Sequence, residues 1–327
     1  MVFLVCGGAG YIGSHMAKTL VRRGHDVVIF DNLSTGKLEH ALWGELHIGD
    51  ICNSEDLDTL FHKYHFDCVM HFAANSIVGE SVLEPELYYH NNVAGTLNLL
   101  ECMHRFGVNK FIFSSSAAIF GNPETEFICE THVKKPVNPY GRTKLMIEEM
   151  LQDFSRAYQI NAVSLRYFNA AGADPDAETG EDHAPETHLI PNIIKSVVDE
   201  HCEALQLFGN DYDTIDGTCV RDYVHVMDLC AAHLKAFEFL PEHNGAFAFN
   251  LGNGEGFSVL QVIKAVEEVT GKSALYQICG RRDGDPARLV ADSTFAREAL
   301  AWSPEYEDIS AMIQTAWKWH SKKSHNG

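Results

Sequence analysis

Short β-branched runs alternate with amphipathic stretches along the first half of the chain, and this alternation limits the possible folds more than any other feature. Residues 2–6 (VFLVC), 26–30 (DVVIF), 45–48 (ELHI), 67–71 (DCVMH), 110–114 (KFIFS) and 162–166 (AVSLR) read as strands. Residues 11–23 carry Ile12, Met16, Leu20 and Val21 at helical spacing, with Gly24 as a stop. Segments 54–64, 85–106 and 140–158 are also helical in pattern, and Ser54 is the expected cap of the first of them. Parallel strands need crossover helices, so the alternation predicts an α/β fold built on a doubly wound parallel sheet.

After residue 172 the pattern changes. Residues 173–186 (ADPDAETGEDHAPE) hold six acidic residues and no Lys or Arg, and read as a solvated loop. Helices near 189–200, 226–240, 258–270 and 309–321 and strands near 204–208 and 247–251 follow. The organisation expected is a Rossmann-type domain over 1–172 and a second, smaller α/β substrate domain over 173–327. Some later segments, such as 222–240, are expected to pack back on the first domain. A length of 327 residues suits two domains.

Composition narrows the function. With 25 Lys and Arg against 45 Asp and Glu, the formal charge is −20. Nucleic acid and anionic membranes repel such a surface. No apolar run approaches the roughly 20 residues of a bilayer span. The start lacks the basic region and cleavage site of a signal peptide, so a cytoplasmic location is expected. Nine cysteines, none in a C-x-x-C pair, read as reduced and buried thiols. Three C-x-x-H pairs (Cys68/His71, Cys129/His132, Cys230/His233) fall in separate parts of the predicted fold, and no metal site is expected. Trp302, Trp317 and Trp319 are expected to pack near the C-terminus.

Gly7, Gly10 and Gly13 are spaced G-x-x-G-x-x-G between the first strand and first helix. Such glycines permit a tight turn and bring backbone N–H groups against a pyrophosphate at the helix start. Asp31 ends the second strand, 18 residues beyond Gly13. A carboxylate there accepts from ribose hydroxyls and repels a 2′-phosphate, which favours NAD over NADP. Asp50, in Gly49-Asp50-Ile51 after the third strand, is a candidate for the adenine side. Tyr140 and Lys144 form Tyr-x-x-x-Lys, one face of a helix. A tyrosine with a reference pKa near 10 needs neighbouring positive charge to act as a base. Ser114-Ser115-Ser116 ends a buried strand, and Ser116 can hydrogen-bond a hydroxyl that loses its proton.

Together with GGAGYIGSH (7–15), DNLSTG (31–36), HFAANSIVGES (71–81), NPYGRTKLMIE (138–148), FGNDYDTIDGTCVRDYVHVMDL (208–229) and RRDGDPARLVAD (281–292), these motifs resemble the extended short-chain dehydrogenase/reductase family, in its nucleotide-sugar epimerase branch. The resemblance covers nearly the whole chain. It implies that Tyr140 is the acid and base, that Lys144 binds the nicotinamide ribose, and that Ser116 is the hydroxyl partner. It implies that Gly7, Gly10, Tyr11, Ile12, Gly13, Asp31, Asn32, Asp50, Ile51, Phe72, Ala73, Ala74, Asn91, Ser114, Tyr167 and Phe168 also bind NAD. Asn169, His188, Leu189, Phe208, Arg221, Arg282, Asp285 and Leu289 would hold a UDP-sugar, the arginines on its pyrophosphate, Asp285 on its ribose and Phe208 against its uracil. The implied reaction inverts C4 of UDP-glucose and UDP-galactose through a 4-keto sugar, with NAD retained. Ser76 replaces a phosphate-facing lysine of several relatives. Ala117-Ala118 replace the acidic pair of the related dehydratases, which argues against elimination of water. Leu289 is intermediate in size where bulk decides whether N-acetylated sugars fit. The alternatives are an epimerase for UDP-N-acetylhexosamines, uronates or pentoses, or a non-catalytic NAD-binding regulator. A homodimer through the helices of 85–106 and 140–158 is a further expectation.

Overall fold

A ladder of seven parallel strands runs through the molecule, and its side-chain alternation explains the apolar runs. The computed structural model describes residues 1–198, 204–282 and 285–326. Strands β1 (Val2–Cys6), β2 (Asp26–Asp31), β3 (Glu45–Ile48), β4 (Cys68–His71), β5 (Lys110–Ser116) and β6 (Asn161–Tyr167) take six places in the sheet. Ala246–Leu251, from far along the chain, takes the seventh beside β6. The spatial order is 246–251, β6, β5, β4, β1, β2, β3, and every neighbouring pair is parallel. Order reverses between β1 and β4, so the connections leaving their carboxyl ends diverge and open a crevice.

Both faces of the sheet are covered. In β1, Phe3 and Val5 join a cluster with Met16 and Leu20 of α1 (Tyr11–Arg22) and Leu229 of helix Val226–Phe239. Leu4 and Cys6 point the other way, to Leu57 of α2 (Ser54–Lys63), Leu99 and Leu100 of helix Gly95–Arg105, and Ile147 of helix Pro139–Tyr158. A period of two with both sides buried gives an uninterrupted apolar strand. Smaller sheets follow: Asn169–Ala171 with Tyr223–His225, Leu205–Phe208 with Tyr276–Cys279, and Val220–Arg221 between Phe257–Ser258 and Arg288–Leu289. Helices Leu189–Val198, Val259–Thr270 and Ile309–Asn326 close a third cluster around Ile193, Val262 and Met312. Residues 199 and 200 of the helix expected over 189–200 lie outside the described residues. Among the described residues no helix is long and apolar enough to cross a membrane. The eight described cysteines are all free thiols, and Cys202 lies outside the described residues.

Three expectations are corrected. The cap of α2 is Asn53, whose Oδ1 accepts from Glu55 N at 3.0 Å, while Ser54 is already helical. Asn53 has the extended backbone that a cap requires, and its own carbonyl accepts from Leu57 N. The 85–106 segment is interrupted: Pro85–Tyr88 runs into a wide π-type turn at Tyr89–Ala94 before Gly95–Arg105. That turn re-phases the helix, so the fully buried Asn92 faces Asn75 and Thr143 while Leu99 and Leu100 face the sheet. The acidic 173–186 segment is packed, with Asp174 and Glu181 buried. Its counter-charges come from elsewhere in the chain: Lys18 Nζ lies 2.6 Å from both Asp174 and Glu178, and Lys37 Nζ lies 2.5 Å from Asp182. Trp319 Nε1 donates to the Glu181 carbonyl at 3.2 Å, and Trp302 Nε1 donates to the Asp228 carbonyl at 3.0 Å. Trp317 packs against the third cluster.

Candidate active site

The crevice at the strand-order reversal begins with the glycine turn. Gly7 has φ +79°, and a Cβ there would sit 2.6 Å from Ala73 N. A Cβ on Gly13 would fall 2.1 Å from the Gly7 carbonyl oxygen, so the helix start can approach the turn only without a side chain. Gly10 caps α1 with no side-chain hydrogen bond, which leaves the first N–H groups of the helix open to an anion. Tyr11 and Ile12 contribute those backbone groups; the Tyr11 side chain turns away, its hydroxyl donating to the Gly172 carbonyl at 2.6 Å.

A groove lined by Gly7, Gly10, Asp31, Asn32, Ile51, Phe72, Ala73, Ala74 and Asn91 continues from the turn. Phe30, Ser34, Thr35, Gly36, Gly49 and Asn75 complete its wall and were absent from the expected set. Asp31 is buried, and its two oxygens accept from Ala9 N and Leu33 N, each at 2.9 Å. Burial raises its pKa and these two bonds oppose the rise. Each oxygen keeps a lone pair for a hydroxyl. Asp50 accepts from Asn32 Nδ2 at 2.9 Å and from Cys52 N at 2.8 Å, so it shapes the rim of the groove.

Ser116, Tyr140 and Lys144 meet beyond the end of β5. Ser116 is the last residue of that strand, and its Oγ accepts from Ala118 N at 3.2 Å. Tyr140 and Lys144 lie one turn apart on Pro139–Tyr158, with Asn138 as cap. Lys144 Nζ donates to the Ser114 carbonyl at 2.7 Å and stands 5.7 Å from the centre of the Tyr140 ring. Burial raises the Tyr140 pKa, and a hydrogen bond with Ser116 pulls it down. Burial lowers Lys144 to about 7. An ammonium effect of Lys144 on the phenol, expected from sequence, is therefore not what dominates in the protein alone; desolvation dominates both groups.

The residues expected on the nucleotide sugar fall into two places. Phe208, Arg221, Arg282 and Asp285 come together: Arg221 pairs with Asp285 at 2.7 Å, and the Arg282 guanidinium stacks 3.9 Å from the centre of the Phe208 ring. Leu289 pairs in register with Arg221 and packs on the cluster of Ala117 and Phe168, beside Ser116. Asn169 Nδ2 donates to the Asp222 carbonyl at 2.8 Å. His188 stands apart from that group, its Nδ1 facing Glu181 and Glu186, and Leu189 packs on the third cluster. Asp283 and Gly284 lie outside the described residues.

The model of the NAD dependent epimerase/dehydratase family matches residues 3–252. The chain belongs to this family. It is 47% identical over 325 residues to a UDP-glucose 4-epimerase of Halalkalibacterium halodurans, covering 99% of this chain and 97% of that one. A UDP-glucose 4-epimerase from Brucella ovis in complex with NAD matches with a TM-score of 0.94, 46% identity and 97% of each chain covered. One from Bifidobacterium longum in complex with NAD+ and UDP matches with a TM-score of 0.94, 37% identity and 100% of each chain covered.

In this member of the epimerase/dehydratase family, sequence reading missed the groups that hold the site in place. Arg166 of β6, 2 % exposed, makes a bidentate pair with Glu148 at 2.9 and 2.7 Å, and Ser115 Oγ donates to the same carboxylate at 2.7 Å. This ties the helix of Tyr140 to β5 and β6 at one point. Asn92 Oδ1 accepts from Asn75 N at 2.8 Å, and its Nδ2 lies 3.1 Å from Thr143 Oγ1. His233 Nδ1 bonds the Leu229 carbonyl at 2.8 Å, so it carries the proton, and Nε2 accepts from Tyr167 OH at 2.6 Å. The Tyr167 hydroxyl thus donates to His233 and also hydrogen-bonds Ser114. The only available signals were an arginine inside an apolar strand and a glutamate among the apolar positions of a helix. None of the C-x-x-H pairs joins a converging ligand group among the described residues.

Proposed function

We propose that the chain is a UDP-glucose 4-epimerase that retains NAD and interconverts UDP-glucose and UDP-galactose. The observation that carries this reading is the convergence of Ser116, Tyr140 and Lys144 at the carboxyl end of β5, beside the glycine turn and the Asp31 groove. The uncapped start of α1 and the missing Cβ atoms of Gly7 and Gly13 fit a dinucleotide pyrophosphate, and Asp31 fits an unphosphorylated ribose. NAD, when bound, supplies an acceptor and donor of hydride for the sugar C4. Tyr140 takes the proton of the 4-hydroxyl and later returns it to the 4-keto oxygen. Ser116 hydrogen-bonds that same oxygen and keeps the phenol aligned. Lys144, anchored to the Ser114 carbonyl, presents its remaining N–H groups to the cofactor ribose. Arg221, Arg282, Asp285 and Phe208 hold UDP away from the reacting carbon, so the sugar can offer either face.

Residues 1–172, with the returning segments, form the cofactor half in this reading, and the remainder holds the nucleotide sugar. A second copy packs against the helices of 85–106 and 140–158, where Leu87, Leu97 and Met146 are exposed. Free cysteines support a cytoplasmic location. The test is incubation with UDP-galactose and no added NAD, following UDP-glucose by a coupled assay. Turnover is expected. A protein that contains NAD and shows none refutes the proposal.

A further inference from the structure

Three groups of acidic residues converge around segment 174–188, and they are neutralised in different ways. Asp174, Asp176 and Glu178 enclose the Lys18 ammonium. Asp182, beside Glu39 and His40, pairs with Lys37 and Lys323. The third group is Glu181, His183, Glu186 and His188. Among the described residues no Lys or Arg pairs with Glu181 or Glu186, whose ion-pair partners are His183 and His188.

The geometry of that group is that of a ligand set. One N or O atom from each of the four residues lies within 4.8 Å of all the others. His183 Nδ1 is 3.3 Å from Glu181 and 3.8 Å from Glu186, and His188 Nδ1 is 2.6 Å from Glu181 and 3.3 Å from Glu186. A tetrahedron of N and O ligands about 2.1 Å from a zinc-type ion has edges of about 3.4 Å. Glu181 is only 4 % exposed, and neither its Oε1 nor His183 Nδ1 has an aligned hydrogen bond despite these short approaches. In the metal-free chain the His183 and His188 imidazoles compensate the buried Glu181 carboxylate, and the same convergent nitrogen and oxygen atoms are the ones a cation between them would use.

We propose that Glu181, His183, Glu186 and His188 bind one divalent transition-metal ion of the zinc type. Two carboxylates and two neutral imidazoles balance a charge of +2, and imidazole nitrogens favour zinc over magnesium or calcium. Four protein ligands close the coordination sphere, so the ion is structural. Outer contacts already orient the ligands. Glu186 Oε1 accepts from the N–H groups of Thr187 and His188 at 2.8 and 2.9 Å, and Trp319 holds the Glu181 carbonyl. The Tyr11 ring stands edge-on to His183, so the ion staples the acidic segment against the first turn of α1, behind the glycine turn. His320 of the C-terminal helix is the other imidazole facing these carboxylates.

The full-length chain, purified without a metal-affinity tag, is treated with a chelator, reloaded with zinc, dialysed, and its metal counted by mass spectrometry. One retained zinc per chain is expected. The folded variants His183→Ala and Glu181→Gln are expected to lose zinc about tenfold or more readily, while Lys37→Met, at the neighbouring acidic group, keeps the wild-type stoichiometry. Cobalt loading is expected to give the visible bands of a tetrahedral site in wild type and not in His183→Ala. No zinc retained by the folded wild type overturns the proposal and leaves ion pairs only; so does equal retention by folded His183→Ala. Metal counting needs no turnover, so this outcome is separate from that of the epimerase test.

Discussion

Replacing Lys144 by Met removes a charge from the buried site and should change how stability depends on pH. Lys144 is 2 % exposed, and burial lowers its pKa from 10.5 to about 7. At about 1.4 kcal/mol per tenfold change, that difference corresponds to about 5 kcal/mol between its two protonation states. The sign follows from proton counting. Between these values the unfolded chain binds a proton that the folded chain does not, so the Lys144 contribution to stability rises with pH. Descending from about pH 10 to about pH 7, wild type should lose about 4 kcal/mol that Lys144→Met keeps, and the difference should level off below the folded pKa. The lost hydrogen bond to the Ser114 carbonyl adds an offset that does not vary with pH. The assay is urea unfolding of both proteins, freed of cofactor, at several pH values across that range. Comparing variant with wild type cancels the cysteines and tyrosines that titrate in the same window. A difference that stays constant over the range refutes the desolvated lysine.

Tyr140→Phe should keep NAD bound, because the phenol contributes no part of the glycine turn, and should lose most of its turnover; activity near wild type removes Tyr140 from the proton-transfer role. Glu148→Gln leaves buried Arg166 without its carboxylate and should cost about 3–5 kcal/mol in urea unfolding. A loss under 1 kcal/mol would show that the pair does not hold the helix. Leu289→Ala opens the wall formed with Ala117 and Phe168, and should raise turnover of UDP-N-acetylgalactosamine relative to UDP-galactose. An unchanged ratio of the two rates would clear Leu289 of controlling sugar size.

Much of the fold was legible because local chemistry and tertiary structure agree there. Strand β1 must be followed by a turn of glycines, and the position of Gly7 against Ala73 explains why no other residue serves. Period-two strands and helical stripes placed the seven strands of the large sheet and the long helices, since both faces of that sheet are buried, whereas the short strands Asn169–Ala171, Val220–Arg221, Tyr223–His225 and Tyr276–Cys279 carry too few residues for a period and were not expected. The π-type turn at Tyr89–Ala94 was not legible, because it answers to Asn75 and Thr143, which are remote in sequence.

The acidic segment marks the boundary most clearly. From sequence alone it is six negative charges with no local cation, and solvation is the reading that local chemistry allows. In three dimensions Lys18 and Lys37 arrive from more than a hundred residues away, and the segment packs down with Asp174 and Glu181 buried while Asp176 and Glu178 stay exposed. In the same way, the order Ser116, Tyr140, Lys144 was fixed by motif spacing, whereas the desolvation that shifts their proton affinities depends on what covers them. Spacing along a chain determines which groups can share a helix face or a strand end. Burial and charge pairing between distant segments are set only when those segments pack, and here they decide which carboxylates are neutralised and which still face only imidazoles.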